Sequence, residues 1–458
     1  MQLGEAAVEA PGGPDRAGGS RAAWWAVGVL LLFYVFSSVD RSIINMMVQP
    51  LERDLHVTDF QISLLQGPAF GLFYAVCGLP MGWLADRVSR RWLAAAGVTV
   101  WGLATCFCGM AGSVAQLFVG RIGVGVGESV LMPTAHSMIA EQFPKKRLAT
   151  AISVYTLGSV VGFALALALG GTVVRLVTHM PPVQLPLVGA VRAWQLAFLV
   201  VGVPTVLVMP LVFTLRERTG GSGAASRPAG EGSGFGEFFR SHWRLMLGLP
   251  LAFGLTNVLI QAYSAWVPTY MIRGFGWNAA QVGLATGLIL LVGGLGGQML
   301  SAVVVDWLYG RGVRDAHTRY HLWSLLASVP CVLLAFQCAS PVAFLALMAV
   351  YYFLTYPFMG YAAAALQIVA PSRARGQAAA MFLAIVTVVG TLLGPTSVAW
   401  LSDNVFEGPG RLGAALTAVT AVCGPLVILT LVWVGGVIRG LQPAAPAPAA
   451  AQPLEAPT

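Results

Sequence analysis

The sequence predicts an all-α polytopic membrane protein: twelve transmembrane helices in two six-helix halves, with both termini cytoplasmic. Charged residues make up only 10% of the 458 residues and hydrophobic ones 57%, whereas soluble globular proteins carry about 25% charge. So few charges cannot cover a water-soluble fold. The apolar residues are also gathered into runs long enough to cross a hydrocarbon core, which takes about 20 residues of helix. A single long polar stretch divides those runs six and six.

Residues 1–20, rich in Ala, Gly and Pro, have no basic n-region and no small-residue cleavage site. They are expected to form a disordered tail ahead of a retained first span. The first half, 21–215, holds spans at 24–49, 60–85, 92–113, 115–140, 149–175 and 192–215. Residues 216–242 are the expected cytoplasmic linker, made pliant by Gly220, Gly221, Ser222 and Gly223. The second half, 243–440, holds spans at 243–272, 279–309, 319–339, 341–369, 375–402 and 411–439. Residues 441–458, dense in Pro and Ala, are expected to be a second disordered tail. Two sets of six suit transporter halves related by an axis along the membrane normal.

Nineteen of the 26 Lys and Arg residues fall on the side of the linker and the termini. Five (Arg53, Arg175, Arg192, Arg273 and Arg411) fall on the other, and Arg41 and Arg121 lie inside spans. Basic loops stay cytoplasmic, so a multi-pass protein of the cell membrane is expected. The net charge of +8 is then an insertion signal. A nucleic-acid partner is not expected, because only Lys145 and Lys146 are lysines and no basic face carries interleaved aromatics. The six cysteines lie in apolar segments without a C-x-x-C pair, and the six histidines are scattered. No metal site, disulfide framework or catalytic triad is expected, and the chain is expected not to be an enzyme.

After the second span the sequence reads Gly82-Trp83-Leu84-Ala85-Asp86-Arg87-Val88-Ser89-Arg90-Arg91. Arginines at a hairpin need only obey the orientation rule, but Gly82 four residues before Asp86 is an additional feature. The run resembles the signature of the major facilitator superfamily, with Ser89 in place of a glycine. That resemblance implies a latch on the cytoplasmic side formed by Gly82, Asp86, Arg87, Arg90, Arg91 and Glu141. Gly82 would permit close approach of another helix, Asp86 would face a helix N-terminus, and the arginines would bridge to Glu141. The second-half counterpart, Asp306 to Arg311, is degenerate.

Three further segments narrow the resemblance. They are Val39-Asp40-Arg41-Ser42-Ile43, the run from Leu64-Leu65-Gln66-Gly67-Pro68 through Gly78-Leu79-Pro80, and Arg121-Ile122-Gly123-Val124-Gly125-Val126-Gly127-Glu128. Over about residues 35–175 the chain resembles bacterial spinster-type transporters. Membership implies the twelve-helix major facilitator fold and proton-linked alternating access, with lysolipids and sphingoid phosphates associated with animal members. The fifth span's Gly158-Ser159-Val160-Val161-Gly162 lacks the Gly-Pro of drug/proton antiporters, which counts against a multidrug exporter, and reads as packing.

Ionisable residues within spans are costly and mark pathways. Here they are Asp40, Arg41, Arg121 and Glu128, whose formal sum is zero. Arg121, Gly125 and Glu128 share a helix face, and Gly123, Gly125 and Gly127 thin the helix for close packing. Asp40 and Arg41 point about 100° apart on a helix, and Glu128 lies about 10 Å below Arg121. The depths favour an Asp40–Arg121 pair with Glu128 a separate acid, away from any base on its own helix. All four are expected to couple transport to protons. Asn257, Gln261, Tyr263, Tyr352, Tyr356 and Thr387 are candidates for lining the substrate cavity, or for bonding helix to helix.

The expected function is proton-coupled transport of an amphiphile with an anionic head, received by Arg41 and Arg121, by a monomer that needs no cofactor beyond the proton gradient. A proton-coupled carrier of small organic acids or other small hydrophobic compounds and a non-transporting receptor are the alternatives.

Overall fold

The computed structural model describes residues 21–85, 87–178, 183–185, 189–216, 235–313, 315–355, 358 and 375–441. Both expected tails, apart from Leu441, and most of the expected linker lie outside the described residues. Among the described residues, ten helices are long and apolar enough to cross a membrane. The expected ninth span is a more polar helix, and of the expected tenth, 341–369, only the apolar helix Pro341–Thr355 and Phe358 lie within the described residues.

The first three helical segments are α1 (Arg21–Ile43), continued by a 3-10 turn over Ile44–Met46, α2 (Val48–Leu55) and α3 (Asp59–Gln66). They are followed by α4 (Pro68–Ala85), α5 (Arg90–Met110), α6 (Val114–Glu128), α7 (Leu131–Gln142) and α8 (Lys145–Thr178). The first, second and fourth spans, expected as single helices, are each broken, and a proline accounts for every break. Pro50, Pro68 and Pro133 lack the N–H that would continue the ladder, so Met46, Leu64 and Ser129 lose their helical donors. Between α2 and α3, His56 takes a left-handed conformation (φ 52°). Thr58 then caps α3, its Oγ1 accepting from Gln61 N at 3.2 Å while its own N–H donates to Gln61 Oε1 at 3.1 Å.

The one departure from helix among the described elements lies between the fifth and sixth spans. There β1 (Val183–Leu185) pairs antiparallel with β2 (Gly189–Val191), Gln184 opposite Ala190. The remaining helices are α9 (Ala193–Val208), α10 (Phe235–Ser241, within the expected linker), α11 (Trp243–Phe275), α12 (Ala279–Gly310), α13 (Ala316–Ala335), α14 (Pro341–Thr355), α15 (Arg375–Asn404) and α16 (Arg411–Leu441).

By packing, the described residues form two units, one drawn from within 1–228, 264–291 and 399–412, the other from within 229–263, 292–398 and 413–458. In the first, α1 lies against α8 with backbones nearly touching. A Cβ on Gly162 would stand 2.6 Å from Val35 O, so the small residues of the fifth span do pack, as expected. Gly125 and Gly127 do the same for α6, where a Cβ would meet Phe70 O at 2.5 Å and Trp101 N at 2.6 Å. The α8–α12 contact is tighter still. A Cβ on Gly283 would come within 2.1 Å of Leu167 O. In the second unit Ala252, Leu325, Val329, Val427 and Leu431 form a smaller apolar core.

Candidate functional site

The broken helices surround the four core charges. Asp40 and Arg121 are 0% exposed and Glu128 1%. Arg121 Nη1 lies 3.5 Å from Asp40 Oδ1, the expected pair. The guanidinium also donates to three carbonyls: Asp40 O at 3.2 Å, Leu65 O at 3.4 Å and Arg41 O at 3.5 Å. Leu65 sits at the proline-terminated end of α3, and Asp40 and Arg41 at the end of α1. Arg121 is thus a cation at the negative ends of two helices at once. Thr105 Oγ1 of α5 donates to Asp40 Oδ2.

Glu128 is not the isolated acid expected. Arg41 Nε approaches its Oε2 at 3.2 Å. Ser37 Oγ bridges the two, donating to Glu128 Oε2 at 2.7 Å and accepting from Arg41 Nη2 at 3.0 Å. The base comes from the facing helix α1, which spacing along α6 could not reveal. The expected splay of Asp40 and Arg41 holds: one turns to Arg121, the other to Glu128. Arg41 also lies 5.6 Å from the ring centres of Phe70 and Tyr74. Its side chain is 28% exposed, while that of Glu128 is fully buried.

A second charged cluster was not legible in sequence, where Arg273 and Arg411 counted only as orientation signals. Asp59, 0% exposed at its side chain, accepts from Arg273 Nη1 and Nη2 at 2.9 Å, and Arg411 Nη2 lies 3.5 Å away. Arg273 also pairs with Glu52. Asp403 Oδ2 accepts from Phe60 N at 2.8 Å, an acid at the N-terminus of α3. Burial, with Asp59 beside it, pushes the Glu52 carboxyl up to about 7. Nearby, Asn45 Nδ2 donates to Ser264 O at 3.1 Å, and Gln66 Nε2 to Asn45 Oδ1 at 3.2 Å.

Of the expected latch, Arg90 and Glu141 form an ion pair. Arg87 stacks over the Trp83 ring at 3.9 Å, and Arg91 is half-buried. At Gly82 an added Cβ would meet no described atom within 4 Å. Asp86 lies outside the described residues.

Among the cavity candidates, Asn257 Nδ2 donates to Val386 O at 2.9 Å. Tyr263 Oη lies 2.6 Å from Thr420 Oγ1, whose own proton goes to Leu416 O at 2.7 Å, so the tyrosine is the donor. Both are helix-to-helix ties. Tyr352 packs edge-on against Tyr351, 5.6 Å between ring centres. Gln261 and Thr387 are half-buried, and Tyr356 lies outside the described residues.

Proline-broken spans around a buried, charge-balanced core define a multi-pass membrane carrier. The chain belongs to the major facilitator superfamily, whose family model matches residues 30–395. An MFS-type efflux pump of Mycolicibacterium smegmatis is 28% identical over 414 residues, covering 88% of this chain and 90% of its own. A probable L-galactonate transporter of Escherichia coli is 25% identical over 307 residues, 64% of each chain. Among solved structures, a bacterial homologue of the human lysosomal transporter Spinster, inward-facing and unoccupied, has a TM-score of 0.74 at 23% identity, covering 93% of this chain and 98% of that one. A D-xylose–proton symporter has a TM-score of 0.69 at 17% identity, covering 89% and 97%. The chain is a transporter.

Proposed function

We propose that the chain is a proton-coupled secondary carrier in the cell membrane, with cytoplasmic termini, moving an amphiphile with an anionic head by alternating access. The observation that carries this reading is the Arg41–Glu128 pair, in which a partly exposed arginine side chain is tied to an acid buried completely. An anion arriving at Arg41 competes with Glu128 for it. A carboxylate that loses its counter-charge in a dry core is tolerable only with a proton bound. Anion binding and proton uptake therefore favour one another. Asp40, held by Arg121 and Thr105, is the second proton carrier, released when helix motion separates it from Arg121. Arg87, Arg90, Arg91 and Glu141, with Gly82 and Asp86, would latch the cytoplasmic side in another state of the cycle. Gln261, Tyr352, Tyr356 and Thr387 are the second half's candidate contacts to the substrate.

A carrier of small organic acids is the second reading, favoured by the name of the galactonate relative. The test is flux in proteoliposomes under an imposed pH gradient, with lysolipids and short polar acids as competitors. The lipid reading expects competition by lysolipids alone; competition by short acids alone overturns it. Binding without flux would make the chain a receptor. We expect Asp40→Asn to transport without moving protons, and Glu128→Gln to lose the pH dependence of the conformational equilibrium. A Glu128→Gln protein that titrates like the parent removes Glu128 from the coupling.

A further inference from the structure

Pro50, Pro68 and Pro133 stand at helix breaks, yet α11 runs through Pro268 as one helix. Pro268 has no N–H, so Ser264 O, one turn earlier, lacks the donor that would continue the ladder. A side chain from another segment supplies it. Asn45 Nδ2 donates to Ser264 O at 3.1 Å, and Asn45 Oδ1 accepts from Gln66 Nε2 at 3.2 Å. Gln66 Nε2 also donates to Ala265 O, the next carbonyl of α11, at 3.5 Å. Asn45 and Gln66 are buried, and in such surroundings a carbonyl without a donor is costly. Ser264 is also where α11 enters the first unit.

Both amides sit beside main chain that Arg121 holds. Asn45 lies in the 3-10 turn that continues α1, just past Asp40 and Arg41, whose carbonyls accept from Arg121 at 3.2 and 3.5 Å. Gln66 follows Leu65, whose carbonyl accepts from Arg121 Nε at 3.4 Å. The same guanidinium balances the Asp40 carboxylate, while Arg41, the other base near Asp40, is taken by Glu128. A proton on Asp40 removes the counter-charge of Arg121, and a buried cation must then find other acceptors or move. Either outcome shifts the ends of α1 and α3, and the two amides with them. At Pro268 that shift meets an element with two arrangements: a straight ladder while Asn45 donates, and a proline kink once it does not.

We propose that Asn45 is a positioning residue for transport, carrying the state of the Asp40–Arg121 pair to α11 by lending or withdrawing the donor that Pro268 lacks. The inference rests on the proton-coupling reading above and adds the path by which the proton's effect reaches the seventh span.

Hydrogen exchange of the full chain in nanodiscs, read over peptides spanning residues 264–275 of α11, tests the relay, with Asp40→Asn standing for the protonated acid. With Asn45 in place, Asp40→Asn should speed exchange of that segment several-fold. Asn45→Ala should speed it to a similar degree, lower the unfolding temperature, and leave Asp40→Asn nothing to add. Pro268→Ala returns an N–H to the ladder, so Asn45→Ala/Pro268→Ala should regain the parent's slow exchange and unfolding temperature. The double variant should still ignore Asp40→Asn, because the bond between the end of α1 and α11 remains absent. That split separates a relay from a structural plug. Asn45→Leu, close in volume, serves should Asn45→Ala not fold. A response to Asp40→Asn that persists in the double variant, or a defect that Pro268→Ala does not repair, overturns the relay and leaves the proton-coupling reading standing. No response to Asp40→Asn with Asn45 in place overturns the relay together with the part of Asp40 in that reading.

Discussion

Arg121 acts as a structural keystone as well as a charge. It meets the Asp40 carboxylate and three main-chain carbonyls at the ends of α1 and α3, where the last carbonyls of a helix run out of helical donors. Removing one member of a buried pair leaves the other uncompensated, a loss of about 3–5 kcal/mol. Arg121→Leu should therefore lower the thermal unfolding temperature sharply. Arg121→Lys should recover only part of the loss, because an ammonium lacks the planar fork that serves several acceptors together. Parent-like unfolding of Arg121→Leu would refute the keystone role. The Asp40–Arg121 pair was legible in sequence because two depths along two spans could be compared. Arg41–Glu128 was not, since spacing along one helix says nothing of the helix beside it. Ser37 and Thr105 carried no signal either, being residue types that membrane helices use freely.

At the scale of elements, the tightest points are the α8–α12 contact and the charge cluster around Asp59. A Cβ at Gly283 has no room beside Leu167 O, so Gly283→Val must push α12 from α8. Spin labels on the adjoining ends of those helices should report a longer separation; an unchanged one would show that the contact gives way elsewhere. The cluster should respond to pH through Glu52. Its carboxyl is raised to about 7 by burial with Asp59 alongside, so the assembled cluster binds that proton more tightly than an opened, hydrated one would. The linkage sign follows: assembly is favoured at acid pH and weakens as pH rises through about 7. Glu52→Gln should flatten that dependence in the same distance measurement, and a variant that keeps the parent's titration would exclude Glu52 as its source. No one-sequence reading pairs Asp59 with Arg273, which lie 214 positions apart.

Across the whole molecule, the apolar runs and the polar divide were plain in the sequence, because a hydrocarbon solvent imposes one length on every span. Two of the breaks were obscured by the same composition: Pro68 and Pro133 sit in runs that remain apolar through them, while Pro50 lies just past the expected first span. α13 starts with His317, Arg319 and His321, which dilute its hydropathy. The remaining consequence is electrical. Asp40, Arg41, Arg121 and Glu128 sum to zero, and each unbalanced charge carried across a membrane does work of about 2.3 kcal/mol per 100 mV. If only one of the two acids is protonated at a time, the bound proton makes this core singly positive and a monoanionic substrate returns it to neutral. The loaded and empty carriers would then both cross without sensing voltage. A potassium diffusion potential set with valinomycin should leave the flux of a monoanion unchanged. A doubly charged head carried with the same single proton should be driven by that potential toward the positive side.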